Sequence, residues 1–145
     1  MIEMQQTVIT SAPADAVFAY LSDFTNAEQW DPNALSVTLL DGDGGVGTTY
    51  RVDSKFAGQT TTLDYQLVDL VPGSLIRLRG EKKSITAVDT ITITESQSRT
   101  AVTYAVEFEF KGVLRFAEPV LRIAVGRLFT DGAEGLSTAL DRLAP

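Results

Sequence analysis

Two residue types that often carry chemistry in proteins, cysteine and histidine, are absent from this sequence. Without cysteine the chain forms no disulfide and offers no thiolate nucleophile. Without histidine it has no Ser-His-Asp triad and lacks the commonest side chain for metal binding and general acid–base catalysis. Proton transfer would therefore depend on Asp, Glu, Lys or Tyr. We expect no metal site and no cofactor.

Positive charge is scarce, and so are long apolar runs. Twelve Lys and Arg stand against nineteen Asp and Glu, which leaves a net charge of −7. Such a surface argues against nucleic acid or an anionic membrane as the partner. Arg122 and Arg127 interrupt the apolar stretch near the C-terminus, so no membrane span is predicted. The first ten residues do not resemble a signal peptide. We expect a soluble, cytoplasmic protein that is a monomer or weak dimer.

The length of 145 residues, with 44% hydrophobic content, predicts one domain covering residues 1–145. A short strand is predicted over Met4 to Thr10. Pro13 in the first turn and Asp15 near the positive end of the helix dipole favour a helix directly after it. A second short helix is predicted from Asp23 to Trp30, because the following Asp-Pro pair disfavours helical backbone.

From Leu35 to Lys111 the pattern changes to alternating apolar and polar residues separated by turn signals. Ala101 to Phe110 alternates most clearly, with the apolar residues of that strand on one face. About six strands joined by short turns predict an antiparallel meander with one buried face. Residues Gly112 to Leu143 then return to helical periodicity, and Pro119 either kinks this helix or marks its start.

These elements together predict an α+β fold in which a curved antiparallel sheet wraps around one long C-terminal helix. Two short helices follow the first strand. Because a strongly twisted sheet need not close tightly on a single helix, the space between them is a natural cavity.

Three segments also carry a resemblance to a known family: "TSAPADAVFAYLSDFTNAEQWDP", "VDLVPGSLIRLRG" and "FAEPVLRIAVGRLF". Over nearly its whole length the chain resembles the START-like superfamily, and more narrowly the bacterial polyketide cyclase/dehydrase and lipid transport (SRPBCC) proteins. The resemblance implies the helix-grip fold and a deep, mostly apolar pocket between the sheet and the C-terminal helix. It does not choose an activity, since the superfamily includes lipid carriers, hormone receptors, aromatase/cyclases and hydroxylase subunits.

The predicted pocket residues come from the inward face of the strands, the second short helix and the long helix. Trp30 either stacks on a ligand or anchors the core. The three inward tyrosines, Tyr50, Tyr65 and Tyr104, either orient a ligand's oxygen atoms or form hydrogen bonds with the backbone or water. The full predicted set is Trp30, Tyr50, Val52, Tyr65, Leu67, Asp89, Tyr104, Val106, Phe108, Leu121, Val125 and Leu128.

Asp89 is an acidic residue in the inward register of its strand, which it shares with Ile85, Ala87, Ile91 and Ile93. A buried carboxyl group is costly unless it is paired, so it tends to be hydrogen-bonded, shifted in pKa or functional. We treat Asp89 as a candidate general base or ligand acceptor. Two alternatives stay open: a β-bulge could turn the side chain outward, or an arginine could pair with it.

Three arginines and one glycine-rich loop are further candidates for a functional role. Arg115, Arg122 and Arg127 on the long helix either form a solvated face or supply one partner for Asp89 or for a ligand carboxylate. The glycine-rich loop Leu40 to Gly47 lacks the spacing of a calcium or phosphate loop, and we interpret it as a hairpin that gates the pocket mouth.

The favoured hypothesis is a carrier or sensor that binds a small hydrophobic molecule such as a lipid, isoprenoid, quinone or aromatic polyketide-like compound. One alternative is a cyclase, aromatase or dehydratase in which Asp89 and pocket tyrosines move protons. Another is a regulatory protein whose loop closes on a ligand and exposes a docking surface. The identity of the ligand does not follow from the sequence.

Overall fold

The fold was determined as a computed structural model that describes residues 1–144. Seven strands form one antiparallel sheet in the order β1-β7-β6-β5-β4-β3-β2. Each strand after the short helices pairs with the next strand in sequence, which is the predicted meander, while β1 closes the far edge against β7. The strands are β1 (Ile2–Thr10), β2 (Ala34–Asp41), β3 (Thr49–Phe56), β4 (Gln59–Val71), β5 (Leu75–Lys82), β6 (Ile85–Ser96) and β7 (Arg99–Phe110).

The period-two pattern correctly identified the buried face of the sheet. Val102, Tyr104, Val106, Phe108 and Phe110 of β7 are all buried. They point to the concave side because successive side chains of a strand alternate between its two faces. The register is continuous across the centre of the sheet and shifts in β2 and between Leu67 and Asp69 of β4. Such bulges increase local twist and help a sheet to curve.

Two short helices cross between the edge strands β1 and β2. Helix α1 (Ala14–Ser22) follows β1 as predicted, but Pro13 is its N-cap and not a residue of its first turn. The predicted second helix over Asp23–Trp30 is instead a 3₁₀ turn at Phe24–Asn26 followed by α2 (Ala27–Trp30). The Asp23 side chain accepts a hydrogen bond from the Thr25 backbone N–H at 3.1 Å and so favours the tighter turn.

The long helix α3 (Glu118–Arg142) runs across the concave face and packs mainly on β1 and α2. Pro119 lies in its first turn and therefore marks the helix start, while residues Gly112–Ala117 form a 3₁₀ segment. Gly135 permits the closest approach: a Cβ atom there would lie 1.8 Å from the carbonyl oxygen of Trp30. Because Gly135 has no side chain, α2 packs directly against α3.

Candidate functional site

A cavity lies between α2, α3 and the concave face of the sheet. Its volume is about 40 Å³, which is room for a few water molecules. Its wall is mostly aromatic and aliphatic, with two carboxyl groups, two phenols and one serine. The lining residues are Phe24, Ala27, Trp30, Asp31, Ala34, Val52, Ser54, Tyr65, Asp89, Tyr104, Val106, Phe108, Leu128 and Phe129.

Most of the predicted pocket residues meet in this cavity, namely Trp30, Val52, Tyr65, Asp89, Tyr104, Val106, Phe108 and Leu128. Four others do not line it. Tyr50, Leu67 and Val125 are buried in the surrounding core, and Leu121 is partly buried against that core. The ring of Tyr50 packs edge-on against Phe24 at 5.6 Å, which keeps it behind the cavity wall.

Sequence reasoning missed six lining residues: Phe24, Ala27, Asp31, Ala34, Ser54 and Phe129. Ser54 shares the inward register of Tyr50 and Val52, so the alternation could have identified it. Asp31 was treated only as part of a helix stop. Its place in the wall depends on how α2 docks on α3, and no local pattern encodes that contact.

Asp89 lies near the middle of the sheet, opposite Leu78 of β5 and Val106 of β7. The register is unbroken there, so the bulge that would have turned it outward is absent. Its exposed fraction is 8%, and it takes part in no ion pair among residues 1–144. Burial, together with the charge of Asp31, raises the pKa of Asp89 to about 7, while the Tyr104 hydroxyl opposes this shift.

Asp31 is the second carboxyl group of the cavity, and it ends α2. Its Oδ1 accepts a hydrogen bond from the Asn33 backbone N–H at 2.9 Å, which fixes the side chain over its own turn. Burial raises the pKa of Asp31 to about 6; the Asn33 hydrogen bond opposes this shift, and nearby Asp131 adds to it. Near neutral pH the cavity therefore holds two carboxyl groups that titrate close to each other.

Tyr65 and Tyr104 complete the polar part of the wall. Burial, followed by the charge of Asp89 and then of Asp31, raises the pKa of both phenols well above the usual value. They therefore stay protonated across the physiological range and can donate hydrogen bonds. The Tyr65 ring has room in the wall because its cross-strand neighbour is Gly80. A Cβ atom at Gly80 would lie 2.9 Å from the Tyr65 ring.

An aromatic cluster flanks the carboxyl groups. Trp30 meets Tyr104 edge-on at a centroid distance of 5.6 Å, and Tyr104 stacks on Phe129 at 5.3 Å. Trp30 is only 3% exposed, so it anchors α2 in the core and lines the cavity as well. The two roles of Trp30 that the sequence left open, core anchor and ligand contact, are thus compatible.

A second cavity of about 50 Å³ adjoins the first. It is lined by Ser54, Phe56, Thr61, Leu63, Tyr65, Ile85, Phe108, Phe110 and Leu128. Four of these residues, Ser54, Tyr65, Phe108 and Leu128, also line the first cavity and form a shared wall. We refer to the two as the acidic cavity and the apolar cavity, since neither Asp31 nor Asp89 lines the second.

The loop that was predicted to gate the pocket does not border the cavities. A groove of about 330 Å³ runs between α3 and the β3–β4 turn at Ala57 and Gly58, and Phe56 and Leu128 form its floor. The loop Leu40–Gly47 precedes β3 and so lies at the other end of that strand. No residue of that loop lines the groove or either cavity.

Arg115, in the 3₁₀ segment before α3, and Arg122 and Arg127 of α3 stay outside the acidic cavity. Arg115 lies over the ring of its neighbour Phe116, at 5.0 Å from the centroid. Arg122 pairs with Glu118 at 3.7 Å, and Arg127 borders the outer groove. The alternative in which one of them pairs with Asp89 is therefore wrong.

These features define the chain as a helix-grip protein with a cavity beneath its long helix. Residues 1–141 match the family described as Polyketide cyclase / dehydrase and lipid transport, and the chain belongs to that family. No curated protein matches the sequence. The family membership agrees with the resemblance stated from the sequence segments.

Solved structures confirm the fold. The chain is similar to the Zhui aromatase/cyclase from Streptomyces sp. R1128, with a TM-score of 0.83 and 19% identity over 97% of this chain and 93% of that one. It is also similar to a START superfamily protein from Mycobacterium smegmatis, with a TM-score of 0.79 and 17% identity over 98% and 99% of the two chains. At these identities the likeness concerns the fold alone.

Among residues 1–144, no helix is long and apolar enough to cross a bilayer. No group of three or more acidic side chains in that range is placed to hold a metal ion.

Proposed function

We propose that the protein binds a small hydrophobic molecule carrying polar substituents, with the ligand occupying the acidic and apolar cavities together. The observation that carries this proposal is the wall that two adjoining cavities share in the core. Separately each cavity holds only a few waters, so a ligand that occupies both requires the side chains between them to move. Ligand pockets of this kind are mostly apolar with few polar groups.

Leu128 is the side chain whose displacement would admit such a ligand. It borders the acidic cavity, the apolar cavity and the outer groove. Rotation of one partly buried leucine therefore links the interior to solvent without unfolding any strand. Side-chain rearrangement at a binding surface is common while the backbone moves little.

The test is titration of the uncharged fluorophore Nile red, together with native mass spectrometry of freshly purified protein and extraction of any bound molecule. We expect saturable fluorescence enhancement in the wild type. Leu128→Trp should weaken it by about tenfold or more, because the indole fills the shared wall. Ile123→Trp is the matched control, since Ile123 lies on the same helix but is 63% exposed.

Nile red binding that is equal in both tryptophan variants would contradict the proposal. It would place the dye on the surface rather than in the cavities.

A second candidate is an enzyme of the cyclase or dehydratase type, and the acidic cavity favours it. A carboxyl group with a pKa of about 7 is half-ionised at neutral pH and can take a proton from a carbon between two carbonyls. The resulting enolate would attack a second carbonyl of the same chain to form a carbon–carbon bond, while the Tyr104 hydroxyl donates to the developing oxyanion.

This second candidate is tested with a short poly-β-ketone thioester and analysis of the products. Asp89→Asn should abolish cyclisation above the spontaneous rate while leaving Nile red binding intact. Unchanged turnover in Asp89→Asn would remove the assigned role. Glu107→Gln, an exposed charge loss on the outer face of β7, is the control.

A further inference from the structure

The polar groups of the acidic cavity share one chemical character. Two are carboxyl groups and three are hydroxyls, and no lysine or arginine lines the space. A ligand with a carboxylate would meet two like charges there and find no counter-ion. The cavity therefore disfavours fatty acids and other anions, although these are common hydrophobic molecules.

The buried carboxyl group of Asp89 interacts with the Tyr104 hydroxyl but has no positive charge beside it among residues 1–144. It is more than nine-tenths buried and faces into the cavity. A buried carboxylate without a counter-ion is costly, and a cation close to it removes much of that cost. The protein supplies no such cation from residues 1–144, but a ligand could supply it.

The aromatic cluster beside the carboxyl groups points to the same ligand chemistry. Trp30, Tyr104 and Phe129 all line the acidic cavity and lie within 5.6 Å of one another in successive pairs. The faces of such rings attract cations, and tryptophan does so most strongly. Carboxylates beside aromatic rings form a setting that accepts an organic ammonium group.

We infer that the acidic cavity binds the protonated amine of an arylalkylamine, whose aromatic part extends past Leu128 into the apolar cavity. The inference rests on the proposed function and names its ligand class. The ammonium group would donate hydrogen bonds to Asp31 and Asp89 and contact the Trp30 and Tyr104 rings. Its ring would lie against Phe108 and Phe110, which already stack at a centroid distance of 6.3 Å.

The experiment compares three probes of nearly equal size by calorimetric titration of the wild type at pH 8. They are 2-phenylethylamine, which is a cation, 2-phenylethanol, which is neutral, and phenylacetate, which is an anion. We expect the amine to bind at least about tenfold more tightly than the alcohol, since a hydrogen bond between charged groups is stronger than a neutral one. Phenylacetate should bind more weakly than the alcohol.

Variants then locate the charge that selects the amine. Asp89→Asn and Asp31→Asn should each reduce the preference of amine over alcohol by several-fold, and the double variant should remove it. Glu107→Gln is the matched control, because Glu107 is exposed and lies beside Val106 on the opposite face of β7. It should keep the full preference. Circular dichroism of each variant establishes that the fold is retained.

The preference should also depend on pH. Asp31 and Asp89 must be ionised to hold the ammonium, and the titratable groups facing them are Tyr65, Tyr104 and Asp131. A primary alkylamine and the two tyrosines keep their protons between pH 5 and pH 8. Binding of the amine should therefore weaken by about tenfold or more from pH 8 to pH 5, while binding of the alcohol changes little.

The outcomes separate this inference from the function on which it rests. Equal affinity for the amine and the alcohol, or a preference for phenylacetate, would overturn the inference. If Nile red still bound in a Leu128-dependent way, the hydrophobic binding function would stand. Absence of binding for all three probes and for Nile red would overturn both. A preference that survives in the double variant would also overturn the inference.

Discussion

The acidic and apolar cavities are neighbours of similar volume, yet their walls have different origins. The apolar cavity is built from strands β3, β4, β6 and β7 together with Leu128. The acidic cavity also needs Phe24, Ala27, Trp30 and Asp31 from the segment between β1 and β2. One space is thus a property of the curved sheet, whereas the other exists only because α2 docks on α3. The difference teaches that the second carboxyl group of the acidic cavity, Asp31, comes from the least regular part of the chain, whereas the other polar groups lie on strands.

The largest effect should come from Gly135→Ala, which acts on the acidic cavity alone. The new Cβ would lie 1.8 Å from the Trp30 carbonyl oxygen, so α2 must move away from α3. We expect the free energy of unfolding to fall by about 3 kcal/mol, as for an overpacked core. Selectivity for the amine should be lost as Trp30 and Asp31 shift. Urea denaturation measures the stability change.

Gly126→Ala is the matched control for that variant. Its Cβ would find only the Met4 Cε atom at 3.6 Å, an ordinary contact. Because alanine favours helix over glycine, this change should stabilise the protein by about 0.5–1 kcal/mol. Equal destabilisation by both variants would contradict the account of how α2 docks.

The next effect concerns the charge of the acidic cavity. The pKa values of Asp89 and Asp31 are raised in the folded state to about 7 and about 6. The stabilisation from their bound protons is complete below the unfolded pKa and is lost as the pH rises through these folded values. Asp89→Asn should therefore raise the free energy of unfolding at pH 8 by on the order of 2 kcal/mol.

At pH 4 the same variant should change stability little, since Asp89 is then protonated in the fold. Urea melts at the two pH values test this. If Asp89→Asn destabilised the protein at pH 8, the ionised Asp89 carboxylate would have a stabilising partner in the fold. The acidic cavity would then not differ from the apolar cavity in holding an unpaired charge.

Leu128→Ala tests the wall that separates the cavities. Removing the side chain should join the two spaces and open them to the groove. We expect a cost of roughly 1–2 kcal/mol, below the range for fully buried leucines because Leu128 is only partly buried. Association with Nile red should become faster. Stopped-flow fluorescence measures the rate, and an unchanged rate would place the entrance elsewhere.

Gly80→Ala should have the smallest effect and acts on the other side of the shared wall. Its Cβ would lie 2.8 Å from Leu63 Cδ2 and 2.9 Å from Tyr65 Cε1, so both side chains must shift slightly. We expect a cost of about 1 kcal/mol, since flexible side chains can yield. Binding of amine and alcohol probes should weaken together, because Tyr65 borders both cavities. Calorimetry with the two probes checks this.

The same contrast explains how far the sequence alone could lead. Alternation along β7 predicted its five buried apolar residues, and the register of β6 predicted that Asp89 faces inward. These are local regularities with a period of two. The family of the chain could also be predicted, since its segments match over nearly the whole length.

The remaining features depend on contacts between distant segments. Asp31 reaches the cavity because Gly135, about a hundred residues later, lets α2 approach α3. The loop Leu40–Gly47 was predicted to gate the pocket, but the groove that adjoins the cavities is bordered by Ala57 and Gly58, at the opposite end of β3. Both turns contain glycine, so the sequence does not distinguish them. The path of α3 over the sheet decides which turn borders the groove.

The most direct test of the central claim is a crystal structure of the protein with 2-phenylethylamine at pH 8. The account predicts one molecule spanning both cavities, with its nitrogen within hydrogen-bond distance of Asp31 and Asp89 and Leu128 rotated from its present position. Its ring should contact Phe108. A molecule bound in the outer groove, or one with its ring beside the carboxyl groups and its nitrogen in the apolar cavity, would contradict it.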